Sequence, residues 1–119
     1  MNAKAETGRL GEDIAAALLI ERGFSIVGRN VRAGRYEIDV IAVRNRVLVF
    51  CEVRTRRSAY FGAPAETVGH KKVLSLRAGA LKWLQSNPRY RRLKLRFDVA
   101  GVLLQPDKPP AIDYYVDAF

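Results

Sequence analysis

Cysteine is nearly absent from this chain of 119 residues, Cys51 being the only one. A single cysteine excludes an internal disulfide and any zinc cluster built on thiolates. Histidine is as scarce: His70 stands alone. A zinc site would then need several carboxylates, and with no serine or cysteine partner at a recognisable spacing this histidine reads as a helix-start residue. Long apolar runs are missing too. The longest, Ile14 to Ile20, is far too short to span a bilayer. No secretory signal precedes the first folded element, so the expectation is a cytoplasmic protein without a membrane partner. No repeat and no low-complexity stretch interrupts the sequence, and acidic residues are in the minority, 12 against 21 Lys and Arg.

What is present is a globular composition, 49% hydrophobic, on one domain's length of chain. The net charge of +9 with a pI near 10.2 implies a polyanionic partner, nucleic acid before any other, because the positive charge is clustered. The spacing of Leu10, Ile14, Ala17 and Leu18 predicts a helix over 7–23, with Thr7 as its cap and Gly23 as its stop. Strands follow over 24–31, 35–43 and 47–55, the last two joined tightly at Asn45-Arg46. A loop with Gly, Pro and Ser covers 58–64. A second helix over 69–85 turns Val73, Leu76, Ala80, Trp83 and Leu84 inward and closes at Asn87-Pro88. Strands over 93–104 and 112–116, with a turn at 106–110, complete the order α-β-β-β-α-β-β. Val47 to Cys51 is apolar at both parities, the mark of a central strand covered on each face. The fold class is therefore α/β, a single domain in which a mixed β-sheet is flanked by two helices.

Charges at alternating positions in two apolar strands carry the chemistry. Alternation puts Glu37 and Asp39 on one face of the second strand, and Glu52 and Arg54 on one face of the third. If Asn45 and Arg46 form a two-residue hairpin loop, Asp39 falls opposite Glu52 and Glu37 opposite Arg54, all four on the same face; a longer loop would change this. Facing carboxylates repel, and a divalent cation reverses that sign. Hard oxygen ligands at this spacing suit Mg²⁺ or Mn²⁺, which activate water and stabilise charge on a phosphate. Against this stands an ordinary Glu37–Arg54 ion pair, with Asp39 and Glu52 exposed at a strand end.

Gly8-Arg9-Leu10-Gly11-Glu12, Glu37-Ile38-Asp39, Val49 to Arg56 and Arg96-Phe97-Asp98-Val99 resemble, in order and over nearly the whole chain, the motifs of the YraN-like bacterial family. Its fold is restriction-endonuclease-like, and the layout is more distantly similar to archaeal Holliday junction resolvases. The resemblance implies a metal-dependent nuclease cutting phosphodiester bonds in DNA, with branched or structured DNA as one candidate substrate. It implies that Asp39 and Glu52 are the acidic metal ligands of a PD-(D/E)xK motif, that Glu12 completes the metal site, that the Val53 carbonyl is a further ligand, and that Glu37 belongs to the family's own Glu-x-Asp pattern. Resolvases act as dimers, which raises a homodimer without marking a face for one. Two positions depart from the pattern. Tyr36 stands where the family has Gly, and Arg54 where the motif has Lys. Arginine stays charged and cannot serve as a base, so the catalytic set would be Glu12, Glu37, Asp39, Glu52 and Arg54, with Lys71 or Lys72 as the source of the missing ammonium.

Further cations lie where a phosphate backbone could be gripped: Arg56 and Arg57 after the site, Lys71 and Lys72, and Arg92, Lys94 and Arg96 in the basic run from Arg89 that also holds Arg91. For 89–96 the alternative is an edge strand protected by charge. Tyr60 and Phe61, beside Gly62, could stack on an unpaired base or fold onto the core. Cys51 reads as core and Asp98, between Phe97 and Val99, as a structural hydrogen-bonding residue. Two further readings remain open, a binding module of the same fold that has lost turnover and a protein-interaction subunit of nucleic-acid processing.

Overall fold

The computed structural model describes residues 3–57 and 69–119; the loop expected over 58–64, with Tyr60 and Phe61, lies outside them. Helix α1 (Ala3–Glu21) precedes strands β1 (Ser25–Ala33), β2 (Tyr36–Arg44) and β3 (Val47–Arg56). Helix α2 (His70–Ser86), a short 3₁₀ turn (Pro88–Tyr90), and strands β4 (Lys94–Leu103) and β5 (Ala111–Tyr115) follow. The strands form one sheet in the order β1-β2-β3-β4-β5, antiparallel except for β3 and β4. A parallel pair needs a crossover, which α2 provides. The element order and the mixed sheet between two helices are those expected. No helix among the described residues is long and apolar enough to cross a membrane.

β3 is central, and its two parities feed two cores. Val49 and Cys51 join Ala15, Leu19, Phe24, Val40, Ala42 and Ala100 on the α1 side. Leu48 and Phe50 join Ile38, Ile41, Ala80, Trp83 and Phe97 on the α2 side, where the Phe50 and Trp83 rings meet edge to face at 5.9 Å. The end of α1 is the expected one. Gly23 adopts φ +90, Gly23 N–H donates to Ile20 O at 3.0 Å and Phe24 N–H to Leu19 O at 2.9 Å, closing the last turn.

Two expectations for α1 are corrected. It starts upstream of Thr7, which therefore does not cap it and instead accepts a hydrogen bond from Arg57 Nε at 2.9 Å. The buried stripe is Gly11, Ala15 and Leu19, while Leu10 remains 47% exposed, and it is Gly11 that lets the helix lie close on β3 at Thr55. A Cβ at Gly11 would collide with Thr55. Gly11→Ala should therefore cost about 1–3 kcal/mol in urea unfolding despite alanine's better helix propensity. Unchanged or raised stability would mean that α1 can back away from β3.

The β2–β3 hairpin closes with Arg44 opposite Val47, and Asn45 takes φ +55, a conformation asparagine tolerates. The two-residue loop and its register are thus realised. Simple alternation along β2 is not. Ile38 packs on the α2 side, whereas Val40, two residues on, packs on the α1 side. The ladder with β1 steps from Arg29↔Val40 to Val31↔Ile38, leaving Asn30 and Asp39 between the rungs, and Asn30 carries φ +49. This left-handed residue reverses the pleat beside Asp39.

Candidate active site at the end of the β2–β3 ladder

The last β2–β3 rung is Val40↔Cys51. The next two residues in register are Asp39 and Glu52, and there the backbone ladder gives way to a side chain: Val53 N–H donates to Asp39 Oδ2 at 2.9 Å. That bond fixes the Asp39 carboxylate in the space between the strands. Glu52 stands beside it, only 4% exposed. Burial pushes the Glu52 carboxyl up to about 8, and the neighbouring Asp39 carboxyl, close enough to share a proton, pushes the same way; Lys72 and Arg54 oppose both. Lys72 Nζ lies 3.3 Å and Arg54 Nη2 3.6 Å from the same oxygen, Glu52 Oε2. Lys71 is exposed, so of the two lysines singled out it is Lys72 that reaches the carboxylate pair. Arg54 Nε is buried with no hydrogen-bond partner among the described residues.

Glu12 approaches from α1. Burial raises its pKa, Asn30 lowers it through a side-chain hydrogen bond, and the Asp39 and Glu37 charges raise it. It is thus within electrostatic reach of Asp39. Among the described residues, however, no three Asp, Glu, His or Cys side chains stand close enough together to hold a metal ion. The structure joins Asp39 to Glu52 and leaves Glu12 outside that pair. Glu37 requires a correction: its partner is Arg32, its rung neighbour, with the ion pair at 3.8 Å. It does not meet Arg54, because the pleat reversal at Asp39 breaks the expected common face. Asn30 was missed in the sequence; an asparagine inside a strand is the signal that could have found it.

The cations divide into two groups. Arg54, Arg56 and Arg57 run along and beyond β3 past Glu52, and Lys71 and Lys72 open α2. Arg92 and Lys94 are exposed elsewhere. Lys94 pairs with Val47 at the hairpin end of β3, five residues from Glu52 and so roughly 16 Å along the strand. Arg96 is internally committed: Nε and Nη2 grip Asp98 at 3.0 and 2.9 Å, and its guanidinium lies over the Phe24 ring. Asp98 is fully buried and also accepts Tyr114 O–H at 2.6 Å and Asp117 N–H at 2.9 Å. It holds β4, β5 and the following turn together, as expected of a structural residue. Cys51 is buried, and burial pushes its thiol pKa up, which leaves it inert.

The donor set fits a hard divalent ion. Asp39 and Glu52 are adjacent carboxylates, the pKa of Glu52 raised first by burial and then by Asp39, and Mg²⁺ characteristically takes one or two carboxylates and completes its shell with water and phosphate. Soft ligands are absent from this pair.

Comparison with known proteins places the chain among close relatives. It is 41% identical over 112 residues to a UPF0102 protein of Rhodococcus jostii (strain RHA1), covering 94% of each chain. It is 41% identical over 114 residues to one of Streptomyces griseus subsp. griseus, covering 96% of each, and 40% identical over 113 residues to one of Trichlorobacter lovleyi, covering 94% of this chain and 88% of that one. The family model described as "Uncharacterised protein family UPF0102" matches residues 11–102, a span that takes in Glu12, Asp39, Glu52, Arg54 and Lys72, and the chain belongs to that family.

Proposed function

We propose that the protein is a Mg²⁺-dependent nuclease of restriction-endonuclease-like type that hydrolyses phosphodiester bonds in DNA, branched or otherwise structured DNA included. The observation that carries this reading is the meeting of Asp39 and Glu52 where the β2–β3 ladder ends, with Lys72 at 3.3 Å from Glu52. Asp39 and Glu52 would hold the ion, with the Val53 carbonyl beside them. When bound, Mg²⁺ (or Mn²⁺) supplies Lewis acidity toward the phosphate and an acidified water. The chain's own residues do the rest. Val53 N–H holds Asp39 in place, and Arg54 and Lys72 stabilise negative charge on the phosphate. Lys72 offers the ammonium that is missing at position 54. Arg56, Arg57 and Lys71 draw the backbone toward the carboxylates, giving binding that weakens with salt.

One feature supports a second reading, a DNA-binding protein with little or no turnover. Glu52 Oε2 is already engaged by both Lys72 and Arg54, and the motif's lysine is replaced. Incubation of the wild type with duplex, single-stranded and four-way-junction DNA, in Mg²⁺ or Mn²⁺ against chelator, separates the two. The nuclease reading expects metal-dependent products, and Arg54→Lys should increase their rate by roughly a hundredfold or more by restoring a group that can exchange a proton. Salt-sensitive DNA binding without products in either protein would overturn it in favour of the second reading.

A further inference from the structure

On the α2 side of the sheet one rung crosses three strands: Glu52 pairs with Val99, and Val99 with Tyr115. Two strand spacings of about 4.8 Å set Tyr115 roughly 10 Å from the Glu52 position. Between this rung and the first turn of α2 lies an open groove of about 610 Å³, lined by Val73, Val99, Tyr114, Tyr115, Val116 and Phe119 among others. It therefore begins at the residue after Lys72 and at the rung partner of Glu52. Its far wall is held in place: Ala118 N–H donates to Phe97 O at 2.7 Å and the Phe119 ring lies 6.2 Å from that of Phe97. Yet Tyr115 and Val116 remain 39% and 54% exposed, an apolar and aromatic surface left in water beside a charged centre.

The charge around the groove is polar in direction. Lys71 and Lys72 stand at the α2 end, and Asp113 and Asp117 on the β5 side. An occupant suited to it has an anionic end, turned to the lysines, and a flat uncharged body turned to the tyrosine. A nucleotide with its base out of the stack has that form. We infer that the groove receives one unstacked nucleobase of a single-stranded DNA segment, packed on Tyr115, so that the attached phosphate lies by Lys72 and Glu52. The inference rests on the nuclease reading for the identity of the polyanion, and it deepens that reading by making single-stranded or frayed DNA the preferred substrate. Base stacking on an aromatic side chain is sequence-tolerant and needs no ordered duplex.

The test is metal-free binding, which separates it from the fate of the nuclease reading. Fluorescence anisotropy with a fluorescein-labelled mixed-sequence single-stranded DNA oligonucleotide, and with the same strand in duplex, is measured in chelator for the wild type, Tyr115→Ala and Tyr115→Trp. Thermal melts confirm that the variants are folded. Tyr115→Ala should weaken single-strand affinity roughly 5- to 150-fold more than duplex affinity, and Tyr115→Trp should retain or raise it. Equal losses on both DNAs, no loss on either, failure of tryptophan to substitute, or no single-strand binding by the wild type would each overturn the inference. Tyrosine-dependent single-strand binding in a protein that never cleaves would leave the groove standing and remove the nuclease.

Discussion

Glu52→Gln is expected to end the Mg²⁺-dependent cleavage proposed for this site and, in the same protein freed of metal, to raise stability above neutral pH. Substitution of groups that merely orient metal ligands costs 10- to 100-fold, so loss of a ligand itself should reduce cleavage by more than about a hundredfold. The stability effect follows from burial next to Asp39. The Glu52 carboxyl, at about 8 in the folded chain against its ordinary 4.5, binds a proton in the native state over a pH range where the unfolded chain has released it. Between those two values the native state holds more protons than the unfolded state, so stability falls as pH rises through the window. Glutamine has nothing to titrate. The wild type in chelator should lose urea resistance from pH 5 to pH 9, and the variant should exceed it at pH 9 by about 1–3 kcal/mol, less whatever Lys72 and Arg54 lose with their partner. Lower stability of the variant at pH 9 would show that the two cations more than offset the repulsion. Cleavage surviving the substitution would remove Glu52 from the site.

Asp98→Ala should be strongly destabilising, on a par with truncating a buried core side chain of the sheet. The carboxylate is completely buried and receives Arg96, Tyr114 and the Asp117 N–H. Its removal strands a guanidinium, a phenol and a backbone donor at once. Breaking a buried pair from one side costs about 3–5 kcal/mol, a large share of the 5–15 kcal/mol a domain commonly has. Urea unfolding at pH 7 measures it, and a loss below about 1 kcal/mol would mean that water replaces the network without penalty. Because Asp98 ties Tyr114 and Asp117 to β4, the change should also loosen β5 and with it the wall that carries Tyr115.

Much of this was legible because it depends on short-range rules. A two-residue loop at Asn45-Arg46 is one of the closures open to two apolar strands, and with that closure, which the structure adopts, register alone brings Asp39 level with Glu52. The both-sided hydrophobicity of Val47 to Cys51 puts β3 in the centre. What escaped depends on backbone twist and on the crossover. Asn30, left-handed inside β1, reverses the pleat and sends Glu37 to Arg32 instead of Arg54, and alternation counted along a sequence cannot register such a reversal. Nothing in the spacing distinguishes Lys71 from Lys72; the direction in which α2 enters the sheet does. The basic run from Arg89 to Arg96 is contiguous in sequence, yet the parallel pairing of β4 carries Lys94 to the hairpin end, and Asp98 claims Arg96.

The parallel pairing of β3 with β4 also bears on the order in which the protein assembles. The β2–β3 hairpin is closed by two residues, whereas β4 reaches β3 only after the connection through residues 57–93 has been gathered in. Local closure is fast and long-range closure slow. A chain that follows these rules closes the hairpin first, so its two carboxylates face each other across the strand ends without the Lys72 ammonium until the crossover docks.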